Sequence, residues 1–174
     1  MDRNLIVEHE LDRKDEQTVA MILDEVKKRD IFNDQQFGDR VRLAVGRLHD
    51  ECVEIGEFLG SSRRIVFKGK YLGQDVAIKF PHAKGTIDHD ERQQRREEEI
   101  WLDAVRSDDK EYFAQIFFGD INFDFIVQEF CENVNTWEYN ELPETHQTIV
   151  SKYGMREIEM GYKNGKMKFV DYGW

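Results

Sequence analysis

Two short strings carry the residue types needed to handle a phosphate chain and its cation. Val76-Ala77-Ile78-Lys79 sets a lysine at the end of an apolar run, and Val170-Asp171-Tyr172-Gly173 sets an aspartate at the end of another, just before a glycine. A lysine can neutralise phosphate oxygens, and a carboxylate on a tight turn can hold a divalent cation. Together these are what the magnesium complex of a nucleoside triphosphate requires. Lys79 sits in an otherwise apolar strand, Val76 to Phe80, where a charge needs a reason. The plainer accounts are a surface lysine on an edge strand and an acidic turn that merely closes a hairpin.

The elements that must position these groups follow from periodicity. Residues 12–30 read as a helix with a capping start at Asp12 and Asp15 and one apolar face of Val19, Ile22, Leu23 and Val26. A longer helix is expected over 36–56, because Phe37, Val41, Ala44, Val45, Leu48, Cys52 and Ile55 form a continuous stripe. These two helices read as a packing brace. From residue 58 the period changes, and 64–71 and 75–80 are expected to be antiparallel strands closed by Pro81. A charged helix over 89–106 carries Ile100, Trp101, Ala104 and Val105 as its apolar line. Strands follow at 113–119 and 123–130, then a polar, irregular stretch at 131–144 and a short helix at 145–152. Asn164-Gly165 between 159–162 and 167–170 is a strong hairpin signal.

The chain has 174 residues, 40% of them apolar and 12% aromatic, enough for one core in two unequal lobes. Its net charge of -11 argues against a nucleic-acid partner, since such binding neutralises phosphates with cations. Cys52 and Cys131 form no CxxC pair and no metal spacing, so both are expected to be free thiols in a reducing compartment. No apolar run approaches the length that crosses a membrane, and the start, Met1-Asp2-Arg3-Asn4 into Leu5-Ile6-Val7, lacks the form of a signal peptide. A cytoplasmic location is expected.

The order strand, strand, helix, strand, strand, acidic turn, over roughly residues 58–174, resembles the protein kinases. The serine-arginine loop is similar to that of small bacteriophage-encoded members. The resemblance implies an α+β, minimal protein-kinase-like fold: an antiparallel small-lobe sheet, one packed helix and a reduced C-terminal lobe. It divides the chain into an N-terminal helical segment (1–57), a small lobe (58–131) and a remnant of the large lobe (132–174). It also implies ATP and Mg as cofactors, with Lys79 paired both to phosphate oxygens and to a helix glutamate. Of the consecutive Glu97, Glu98 and Glu99, helical spacing favours Glu97, because Ile100 and Trp101 follow it by three and four places, with Glu98 in reserve.

By the same resemblance Gly60, Ser61 and Ser62 cover the phosphates, although Ser61-Ser62 stand where the family has further glycines, and Arg63 or Arg64 could add charge. Gln128 takes the gatekeeper place, and the backbone of Glu129 to Cys131 meets the adenine edge. Asp171 takes the metal-binding aspartate place, with Tyr172 where the family has phenylalanine. Met160-Gly161-Tyr162 then puts Glu159, an oxygen ligand for Mg, at the place of the family's asparagine. Gly154 falls at the place of the catalytic aspartate and cannot orient a hydroxyl; Glu157 could substitute in a shifted register. The sequence runs to Trp174 straight after the acidic turn, so an activation segment and large-lobe helices are not expected.

These expectations describe a kinase-like ATP- and Mg-binding protein with impaired or absent phosphotransfer, acting on a host protein in the host cytoplasm. The alternatives are an active minimal kinase with a relocated acid, Glu157 or Glu159, and an interaction protein that does not use nucleotide.

Overall fold

The computed structural model describes residues 11–28, 35–60, 64–80, 87–120 and 125–173. Helix α1 (Arg13–Lys28) starts where Asp12 Oδ1 accepts the Asp15 N–H at 2.8 Å, which satisfies one of the donors every helix start leaves open. Helix α2 (Gln35–Asp50) buries Val41, Ala44, Val45 and Leu48 along one face.

The expected helix over 36–56 is therefore too long. Cys52 takes a left-handed backbone (φ 60°), Val53 N–H returns to the Leu48 carbonyl and Cys52 N–H to the His49 carbonyl, both at 2.9 Å. That double bond pattern ends a helix, and glycine usually supplies the left-handed residue. Ile55, expected on the helix stripe, lies instead in strand β1 (Glu54–Gly60). β1 thus spans residues 57 and 58, where the sequence placed a segment boundary.

An antiparallel five-stranded sheet has the order β1-β2-β3-β5-β4, with β2 at Ile65–Tyr71, β3 at Gln74–Phe80, β4 at Ile116–Asp120 and β5 at Phe125–Glu129. Helix α3 (Ile87–Arg106) joins β3 to β4. The β2–β3 turn uses left-handed backbone at Leu72 and Gly73, φ 49° and 75°.

Side chains alternate across a strand, so one register decides two faces. Ile65, Phe67, Val76, Ile78, Phe80, Phe125 and Val127 enter the core formed with α1 and α2. Ile126 enters a different core with Ile100 and Ala104 of α3. The sheet is packed on both sides, which explains why β5 is almost continuously buried.

The stretch expected to be irregular contains a further strand, β6 (Glu132–Thr136), and helix α4 follows (Glu144–Tyr153). β6 pairs with β7 (Glu159–Lys163), which pairs with β8 (Lys166–Asp171). β6 is exposed throughout and carries two asparagines, so it has no apolar alternation to reveal it. The second sheet is fastened to the first region by a parallel bridge between Phe113 and Phe169 and by the Ala114 N–H to the Phe169 carbonyl at 2.8 Å. The architecture is α+β, antiparallel with few helices, and compatible with a small kinase-like fold. No described helix is long and apolar enough to cross a membrane.

Candidate functional site

The parity that sends Ile65, Phe67, Val76 and Ile78 to one core sends Arg64, Val66, Lys68, Ala77 and Lys79 to the opposite face. There they line a cavity of about 640 Å³. Leu59 and Gly60 of β1 border it, as do Gln128 to Val134 and, from the second sheet, Glu159, Val170 and Asp171. Its volume lies within the range of small-molecule and cofactor sites. Leu59, Val66, Ala77, Val134 and Val170 give it apolar wall, and Arg64, Lys68, Lys79, Glu129, Glu132, Glu159 and Asp171 give it charge. Leu59 and Val134 are large apolar side chains left exposed.

Lys79 Nζ lies 3.0 Å from Glu97 Oε1 and also donates to the Val170 carbonyl. Glu97 is fully buried (0% exposed). On α3 the buried residues Gln93, Glu97, Ile100 and Ala104 share one face; Glu99 is exposed, and Glu98 accepts from Gln94 at 3.2 Å. Spacing alone thus separates the three glutamates.

Asp171, at the end of β8, is held by Gln93, whose Nε2 donates to Oδ1 at 3.1 Å. Arg64 Nη2 stands 2.5 Å from Glu97 Oε2, a close charge contact rather than a well-directed hydrogen bond, and 3.8 Å from Asp171 Oδ1. Two cations and two carboxylates therefore meet at the inner end of the cavity. Glu159 pairs with Asp171 across β7 and β8. Directly opposed residues bring their Cβ atoms to about 5 Å. Two carboxylates so placed are hard oxygen ligands of the kind Mg takes together with phosphate.

Tyr172 is fully buried, and its hydroxyl donates to the Ala114 carbonyl at 3.1 Å. Gln128 Nε2 reaches the same carbonyl at 3.4 Å. Burial pushes the Tyr172 phenol well above its ordinary value, and Glu97 pushes the same way. Gly173 is required by proximity: a Cβ there would lie 2.5 Å from the Gln93 carbonyl oxygen. Aspartate and glycine of the acidic turn thus both meet Gln93 of α3, and the tyrosine between them meets Ala114.

In the connecting segment, the Glu129 carboxylate receives Lys168 Nζ at 2.7 Å, and the N–H groups of Glu129 and Phe130 go to the Gln115 and Asp75 carbonyls. Burial pushes the Cys131 thiol up to about 11, with Glu129 adding to the effect. Lys68 Nζ lies 4.5 Å from the centre of the Phe130 ring.

The structure brings Gly60, Lys79, Gln128, Glu129, Cys131, Glu159 and Asp171 to one cavity, with Glu97 behind Lys79. Ser61 and Ser62 lie outside the described residues. Gly154 is the left-handed C-cap of α4 (φ 62°), and neither it nor Glu157 is among the residues lining the cavity. Sequence reasoning gave Arg64 only an optional charge and overlooked Gln93 and Val134. The parity of Arg64 with Val66 and Lys68, and the four-residue step from Gln93 to Glu97, are the signals that locate the first two.

Away from the cleft, Asp12, Asp15 and His49 bring ligand atoms within 4.8 Å of one another. A helix cap and the 3.0 Å contact between His49 Nδ1 and Asp15 account for their arrangement.

No family model and no curated protein matches the chain. Among solved structures, choline kinase LicA from Streptococcus pneumoniae is similar at 15% identity and a TM-score of 0.35, over 57% of this chain and 34% of that one. The chain thus spans about a third of that protein's length. So partial an overlap decides nothing about chemistry.

Proposed function

We propose that the cavity binds a nucleoside triphosphate with magnesium, and that the protein is a kinase-like nucleotide-binding protein with a degenerate catalytic loop. The observation that carries this reading is the meeting of Lys79, Glu97 and Asp171 at the buried end of a cavity that also presents an apolar set, Leu59, Val66, Ala77, Val134 and Val170. Leu59, Val66, Ala77, Val134 and Val170 suit the faces of a planar base, and Lys79 suits phosphate oxygens. Asp171 and Glu159 would hold the metal, which supplies charge neutralisation between phosphate groups.

Transfer of the phosphoryl group needs a residue to orient the attacking hydroxyl. Gly154 has no side chain, and its left-handed backbone serves the end of α4. Binding without efficient transfer is the reading that fits these residues. Glu159, which lines the cavity, is the acid an active variant of the reading would use.

Calorimetric titration of the full chain with ATP and MgCl2, beside Lys79→Met, tests the reading. Saturable binding by the parent, weakened at least tenfold in the variant, is expected. A parent that gives no heat and no melting shift with Mg-ATP overturns it in favour of a protein that does not use nucleotide. Incorporation of labelled phosphate that disappears in Glu159→Gln would replace it with an active phosphotransferase.

A further inference from the structure

The buried end of the cavity places a cation 3.8 Å from the carboxylate a metal would need. Arg64 is the residue immediately before β2, and strand parity turns it inward while Ile65 packs into the opposite core. Its side chain is only 9% exposed and lies against both Glu97 and Asp171. A guanidinium stays charged under all ordinary conditions, so its burial has to be matched by anions. With Lys79 it balances the two carboxylates, leaving these four groups neutral.

Each ligand of a magnesium-nucleotide complex disturbs that balance in a different way. A magnesium ion alone can gain Glu159, but to reach Asp171 it must displace Arg64, adding positive charge beside a buried guanidinium. A triphosphate adds negative charge, and its oxygens match the planar fork of arginine better than a point cation does. We infer that Arg64 is an internal counter-ion to Glu97 and Asp171 that turns to the phosphate oxygens when nucleotide enters, so that metal binds Asp171 only after phosphate has arrived. The inference rests on the nucleotide reading and adds to it an order of binding and a phosphate ligand. Gln93 keeps the Asp171 carboxylate oriented while the guanidinium moves, since its bond to Oδ1 is independent of Arg64.

Calorimetry on the full chain separates these claims through three titrants: ATP in EDTA, ATP with MgCl2, and MgCl2 alone. The parent is expected to bind ATP in EDTA and to give no saturable heat with MgCl2 alone. Arg64→Gln is expected to weaken metal-free ATP binding at least tenfold and to acquire saturable binding of MgCl2 alone. If Arg64→Gln is unfolded by circular dichroism, Arg64→Lys decides. It keeps the charge but not the fork, and metal-free affinity should fall at least fivefold.

Nucleotide binding in the parent that Arg64→Gln (or Arg64→Lys, where that variant decides) leaves within twofold overturns the role of Arg64 and leaves the nucleotide reading standing. Saturable binding of MgCl2 alone by the parent also overturns the counter-ion. A parent that binds ATP neither with nor without magnesium overturns both readings.

Discussion

The hydroxyl of Tyr172 and the main-chain carbonyl of Ala114 meet at 3.1 Å inside the protein, joining the acidic turn to the segment that precedes β4. A phenylalanine would fill the same space among Phe113 and its neighbours, whose ring centre lies 4.9 Å from that of Tyr172. Only the polar link would be lost.

Tyr172→Phe is accordingly expected to cost about 1–2 kcal/mol, the range for losing a buried hydrogen bond, measured by denaturant unfolding. The pH dependence adds a separate signature. The folded-state pKa is raised, so the contribution is complete below the ordinary tyrosine value of about 10 and is lost as pH rises beyond it towards the folded value. The parent should lose stability on the alkaline side more steeply than Tyr172→Phe. Parallel alkaline profiles would contradict this.

Gly173→Ala tests the contact between the acidic turn and α3. The added methyl would lie 2.5 Å from the Gln93 carbonyl oxygen, a backbone atom that cannot swing aside. The turn must shift, and the bond from Gln93 to Asp171 should weaken with it. A loss of about 1–3 kcal/mol in stability is expected, as for other overpacked sites, with at least fivefold weaker Mg-ATP binding. Unchanged melting and unchanged binding would show that the turn tolerates a side chain.

The two thiols should separate cleanly on alkylation. Cys52 is exposed, whereas Cys131 is buried at the cavity wall with its thiol pushed up to about 11. Only the thiolate reacts, so at pH 8 about one Cys131 in a thousand is reactive. Brief iodoacetamide treatment of the native protein followed by peptide mass spectrometry should label Cys52 and spare Cys131. Equal labelling would place Cys131 in a more open setting.

Much of this arrangement is legible in the sequence because it depends on two short periods. Alternation along Val76 to Phe80 separates Lys79 from Ile78, and the helical step from Glu97 to Ile100 separates that glutamate from Glu99. The Asn164-Gly165 turn fixes β7 against β8 with both residues in left-handed backbone, φ 51° and 75°. The end of α2 was illegible because Cys52, not glycine, adopts the left-handed position. β1 was illegible because its pairing with β2 is irregular between Ile55 and Gly60, which spoils the alternation. β6 has no buried face. Arg64 looked optional because its importance comes from α3 and β8, which no local pattern connects to it.

One small feature constrains how this cleft can move. Ala114 gives its N–H to the Phe169 carbonyl and accepts from the Tyr172 hydroxyl, and the Lys79 bond to the Val170 carbonyl, the Gln93 bond to Asp171 and the Lys168 contact with Glu129 fasten the residues between and beside them. Five successive residues, Lys168 to Tyr172, are each bonded to another part of the chain, so the acidic end of the cleft is held residue by residue.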